Sequence, residues 1–142
     1  MTPESTTRLR DQLIQDERLR LSMYTDSVGV HTIGVGHNLD AKPISRRAAM
    51  VILDDDIADS MAEMDRAMPW WRTLDEVRQM VLANMCFNLG LGGLLSFRKA
   101  LMAMKRGDYV AAAEDMKDSK WYTQVGARAV RLVNAMETGE LD

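Results

Sequence analysis

Hydrophobic positions recur at helical spacing along most of this chain and alternate with polar ones over one short stretch. Leu9, Leu13, Ile14, Glu17 and Leu21 follow one another at steps of about three or four residues, the spacing of one helix face. With Thr2 as cap and Pro3 at the first helical position, they predict a helix running to about Leu21. From about Met23 to Leu39 the period drops to two and glycines stand at 29, 34 and 36, which predicts short strands. Ser45 caps a second helix, stopped near Met68 by Pro69. Thr73-Leu74-Asp75-Glu76 has the form of a capping box opening a helix that ends at Leu89, with Gly90 behind it. Further helices are expected from Leu94 to Arg106, from Asp108 to about Asp118, and from Val125 to Glu137. No repeat, linker or low-complexity run interrupts them.

This order of elements predicts an α+β, mostly helical fold. A small antiparallel β lobe at about 22–44 leads through a long bridging helix at about 45–68 into a helical lobe at about 69–142, to which the N-terminal helix also belongs. We read it as a single domain, 1–142. A chain of 142 residues is long enough for a real core, and 46% hydrophobic with 27% charged residues is ordinary for a soluble globular protein. Of the twelve methionines, Met61, Met64 and Met68 stand at helical spacing and read as adaptable core filler. Cys86, the only cysteine, permits no intrachain disulfide and reads as a buried, inert thiol. No Cys or His cluster has zinc spacing, and Asp54-Asp55-Asp56 point in different directions on a helix, so no metal or cofactor is expected. The net charge of −3, without Lys/Arg blocks, argues against nucleic acid as partner. A polar start and the lack of a long apolar run predict no stable membrane insertion and accumulation in the cytoplasm.

Candidate chemistry concentrates in residues 15–37, QDERLRLSMYTDSVGVHTIGVGH. Glu17 is an acid in an otherwise apolar stripe. Burial there would disfavour its charged form and keep it protonated, as a general acid requires; a surface glutamate paired with Arg18 or Arg20 is the plain alternative. Asp26, in Thr25-Asp26-Ser27, has the setting of a local turn cap, and a solvated turn would keep it ionised. Thr32 continues the period-two run of Val28 and Val30, where threonine is normally just a good strand former, yet its hydroxyl can orient a water. Two carboxylates on different elements, one protonated and one ionised, are what cleavage of a glycosidic bond needs. The Gly34-x-Gly36 pair is no nucleotide loop: position 39 is Leu, and no strand–loop–helix unit surrounds it.

The same string closely resembles T4-class phage lysozymes, in which a helix-end Glu is followed by R-L-x-x-Y-x-D and T-I-G-x-G-H. Here these are Glu17, Arg20-Leu21, Tyr24, Asp26, and Thr32 through His37. The resemblance implies an endolysin muramidase with Glu17 as general acid, Asp26 placing the attacking water and Thr32 as that water's second partner. It implies inversion at the anomeric carbon, with carboxyls roughly 6.5–9.5 Å apart. It continues through Leu74 to Arg78, Asn84 to Gly90, Lys120 to Gln124 and Ala127 to Ala129. By this match Phe87 and Asn88 line the cleft edge and bind substrate, Arg128 approaches the catalytic Glu, and His37 pairs with Asp56 as a structural ion pair. Bacterial peptidoglycan is the implied partner, reached through a holin, by a monomer without cofactor. Two departures stand out. The chain runs from His37 through Asn38-Leu39-Asp40-Ala41-Lys42-Pro43 directly into the next helix, a shorter excursion than in the T4 member, and its charge is acidic, which weakens long-range attraction to an anionic wall.

A catalytic His37–Asp56 dyad is the alternative to the ion pair, but no serine or cysteine nucleophile is tied to it. His31 is expected to be exposed on the sheet. Trp121 and Tyr122 read as core, and of Trp70 and Trp71 one ring is expected in the core and one near the surface. The rival readings are a lytic transglycosylase, a tail-associated lysozyme and a non-catalytic glycan-binding module. Asp26 and Thr32 argue against the first, the lack of further domains against the second, and the presence of all three catalytic positions against the third.

Overall fold

The computed structural model of the chain describes residues 1–141. It carries seven α-helices among those residues and one three-stranded antiparallel sheet of order β1-β2-β3, an α+β, lysozyme-like arrangement as expected. The elements are α1 (Pro3–Glu17), β1 (Leu19–Thr25), β2 (His31–Val35), β3 (His37–Asn38), α2 (Arg46–Ala67), α3 (Glu76–Leu95), α4 (Arg98–Lys105), α5 (Tyr109–Lys117), α6 (Lys120–Val125) and α7 (Ala127–Thr138), with a 3-10 turn at Pro69–Thr73. The chain divides into two compact units, Met1–Met50 and Val51–Asp142, with the boundary inside α2.

In the first unit, Thr2 accepts from Ser5 N–H at 3.1 Å and Pro3 takes the first helical position. α1 stops at Glu17, four residues before the predicted end. Arg18 there adopts φ 65°, a left-handed conformation that reverses the chain into β1. Leu21 is therefore a strand residue and not part of the helix stripe. Leu9, Leu13 and Ile14 gather with Val35 of β2 around a shallow groove, and all three stay about two-fifths exposed.

The second unit holds the buried core. Met64, Met85, Met104, Met116 and Met136 are fully enclosed with Leu82, Leu94 and Val133, while Met61 packs at its margin. Unbranched thioethers fill the irregular spaces where short helices meet at several angles. Trp71 lies in this core with its ring N–H on Asp65 at 2.8 Å, and Trp70 is half-buried. Trp121 is also buried, edge-on to Phe97 at 5.7 Å. Ser45 caps α2 as read, but Asp75, not Thr73, caps α3, its carboxylate accepting from Arg78 N–H at 3.1 Å. Gly90 takes φ 75° as a cap glycine would, yet α3 resumes beyond it and runs to Leu95. The pattern passed over α6, six residues capped by Ser119.

Candidate active site

Glu17, Asp26 and Thr32 all fall in the first unit, arranged around the β1–β2 ladder. Leu19 pairs with Val35 at one end, and Tyr24 with Thr32 and Thr25 with His31 at the other. Between Arg20 and Tyr24, β1 advances four residues while β2 advances two, so β1 bulges. The bulge lets a seven-residue strand match a five-residue one and draws the residues flanking β1 closer along the sheet.

At the first end, Glu17 lies against the β2–β3 turn. Gly36 has φ +64°, and a Cβ built on it would stand 2.9 Å from Glu17 Oε2 and 3.0 Å from its Cδ. Glycine lets the carboxyl sit there undisturbed; any side chain at this position would have to push the flexible end of Glu17 aside. Glu17 itself is exposed, so the apolar enclosure expected from the Leu9–Leu13–Ile14 stripe is absent; the helix ends at Glu17, and the stripe turns to β2 instead.

At the other end, Asp26 follows β1 directly and is half-buried. Its Oδ1 accepts from the N–H groups of Val28 and Val30, both at 2.9 Å, while its own N–H donates to Val30 O. Among the described residues nothing donates to Oδ2. The turn-cap reading and the catalytic one are thus compatible, since one oxygen holds the loop and the other is left for a ligand. Thr32 is buried, and its hydroxyl donates to Val30 O at 3.2 Å, which leaves the oxygen free to accept. It sits on the central strand, between Tyr24 of β1 and Asn38 of β3.

The remaining predicted site residues distribute over both units. His37, in the first, donates its ring Nε2–H to Lys42 O at 3.0 Å. Asp56, in the second, is exposed on α2. Phe87, Asn84 and Arg128 line a groove of about 340 Å³ in the second unit with Leu53, Ile57, Ser60, Met80 and Ala83. Arg128 is half-buried there, its Nε on Asn84 Oδ1 at 2.9 Å. Asn88 is exposed and accepts from the Trp121 ring N–H at 3.1 Å, so its carbonyl oxygen has a packing duty. Burial pushes the Cys86 thiol up, helped by the Glu63 charge, which keeps it inert. No cluster of metal-binding side chains occurs among the described residues.

Sequence reasoning missed two features. One is the Gly36 contact, which exists only because the β2–β3 turn lies against Glu17. The other is a pair between His31 and Asp40. The carboxylate accepts from His31 N–H at 2.9 Å through Oδ2 and from its ring Nδ1 at 3.0 Å through Oδ1. The His31 N–H, then its ring, hold the Asp40 carboxyl below the usual range. An Asx-rich turn, Asn38-Leu39-Asp40, was the available signal.

Residues 15–137 match the family described as Phage lysozyme. The pre-baseplate central spike protein Gp5 of Enterobacteria phage T4 is 31% identical over 94% of this chain, which spans 28% of that protein. Probable T4-type lysozyme 2 of Dictyostelium discoideum is 31% identical over 94% of this chain and 95% of its own length. The SAR-endolysin of Escherichia phage Mu is 29% identical over 90% of this chain and 74% of its own.

Proposed function

Since the chain belongs to the phage lysozyme family, we propose that it is an inverting muramidase that hydrolyses the β-1,4 bond between N-acetylmuramic acid and N-acetylglucosamine in bacterial peptidoglycan. Family membership makes the coarse activity that of a glycoside hydrolase acting on the wall. The finer reading rests above all on the state of Asp26 and Thr32. Both present an acceptor at the same end of the ladder: Oδ2 of Asp26, because Oδ1 is engaged, and Oγ1 of Thr32, because its proton is donated to Val30. A water that donates to both keeps a lone pair free to attack the anomeric carbon.

Glu17 supplies the opposite function. Its proton goes to the glycosidic oxygen as the bond breaks, and the water's proton passes to Asp26. Glu17 is exposed in the free protein, so an incoming glycan can reach its carboxyl. Inversion requires the Glu17 and Asp26 carboxyls to stand roughly 6.5–9.5 Å apart. In the second unit, Phe87 and Asn88 are assigned to the substrate.

Digestion of purified peptidoglycan tests this reading. Reducing muramic acid ends, released first as the α-anomer, support it. A 1,6-anhydro end means transglycosylation, and a β-anomer means retention. Delivery has two readings. Release into the wall at host lysis follows the endolysin relative, and carriage on the particle follows the spike-protein relative. Detection of the chain in purified particles supports the second, and its confinement to lysates the first.

A further inference from the structure

The mechanism above leaves the His31–Asp40 pair unused, although it adjoins Thr32. β3 is only two residues long and pairs with β2 through Asn38 and His37. One position further on, the ladder is completed by two contacts of the following turn: Leu39 N–H donates to His31 O at 2.8 Å, and His31 N–H donates to the Asp40 carboxylate. The carboxylate does the work of a strand carbonyl, as a stronger, charged acceptor. Its other oxygen takes the ring Nδ1–H, so one group holds both the main chain and the side chain of His31. The turn is braced in its own right, with Ala41 N–H on Asn38 Oδ1 at 2.9 Å and Lys42 N–H on Asn38 O at 3.1 Å.

On the other side, His31 is bonded to Thr32 and to Val30. The Val30 N–H binds Asp26 Oδ1, and its carbonyl accepts from both the Thr32 hydroxyl and Asp26 N–H. Any shift of His31 therefore reaches both water partners within one residue. We propose that Asp40, acting through His31, is a positioning residue that sets the relative placement of Asp26 and Thr32. The inference rests on the reading of those two as the pair that holds the attacking water. Misplacement of a reacting group by about 1 Å can cost on the order of a hundredfold in rate; partial release of one strand end should cost less.

Steady-state kinetics on soluble wall fragments test the proposal, with melting temperatures taken on the same preparations. Asp40→Ala should lower kcat by about tenfold with KM within about twofold of wild type. Asp40→Asn, which keeps an acceptor for His31 N–H, should recover most of the loss. If Asp40→Ala does not fold, Asp40→Glu carries the test, since one added methylene displaces His31 while the charge stays; kcat should again fall. Equal kcat in the folded variants, a change in KM or melting temperature alone, or no rescue by Asn would overturn it. Asp26→Asn, run alongside, separates the two levels. If it is inactive while Asp40→Ala is unimpaired, only the positioning role fails; if it is fully active, the water-holding reading fails and takes the positioning role with it.

Discussion

At Asp26 one carboxylate oxygen takes two backbone N–H groups while the other has no donor among the described residues, and at Glu17 the carboxyl lies against a glycine. The second arrangement carries two predictions. Glu17→Gln should abolish wall hydrolysis without disturbing the fold, because an amide has no acidic proton to give. Turbidity clearance and circular dichroism check it together, and retention of more than a few per cent of activity would sink the acid assignment. Gly36→Ala puts a methyl 2.9 Å from Glu17 Oε2 at φ +64°. The left-handed backbone costs about 1 kcal/mol, and the flexible end of Glu17 is what gives way. Hydrolysis should therefore fall by about tenfold or more, out of proportion to the small drop in unfolding free energy. A loss of stability with unchanged kcat would mean that the carboxyl does not depend on this contact.

Among the elements, α7 is closed by one side chain from α3. Arg78 donates to the carbonyls of Met136 at 2.7 Å and Glu137 at 3.0 Å, pairs with Asp75 at 3.0 Å, and lies over the Tyr109 ring at 3.6 Å. Gly139 completes the helix end in a left-handed conformation, its position leaving the guanidinium room. Helix-end carbonyls have no intrahelical partners, and a cation beside them also meets the negative end of the helix dipole. Arg78→Met should thus destabilise the protein by about 3 kcal/mol, two charge-assisted bonds lost with partial compensation by packing. Urea unfolding measures it; a change below about 1 kcal/mol would mean that water replaces the arginine.

For the molecule as a whole, charge sets two expectations. Asp65 is held below the usual carboxylate range by the Arg72 side chain and then the Trp71 ring N–H, and Asp40 by His31. A carboxyl with a depressed folded pKa stabilises the native state above its unfolded value and loses that contribution as pH falls through the folded value. Both groups start from 3.8, so their contribution persists at neutral pH and declines as pH falls below about 4. Thermal unfolding across pH 2–6, with Asp65→Asn showing a shallower acid limb, checks this. The net charge of −3 opposes approach to an anionic polymer. Wall hydrolysis should therefore rise modestly as salt increases from about 0.01 M to 0.15 M, where the screening length falls from about 30 to 8 Å. A steep fall over that range would point to a basic surface guiding the approach.

Much of this was determined by the sequence alone, because it depends on local chemistry. Thr2, Ser45 and Asp108 cap helices since their side chains need only reach a backbone N–H three residues on. Gly90 takes a positive φ, and Met64 and Met68 fall on the buried face that their spacing marks. The motif that carries Glu17, Asp26 and Thr32 was legible as an ordered string of residues. What the string could not say is which partners each finds across space. The helix end at Glu17, the choice of Asp75 over Thr73 as cap, and the folding of Lys120–Val125 as a helix were settled by competition among neighbours rather than by any one residue's preference. The Gly36 seat for Glu17 and the Asp40 hold on His31 exist only once β2 lies between β1 and the turn after β3. Strand pairing brings together residues far apart in the chain, and no local period encodes that.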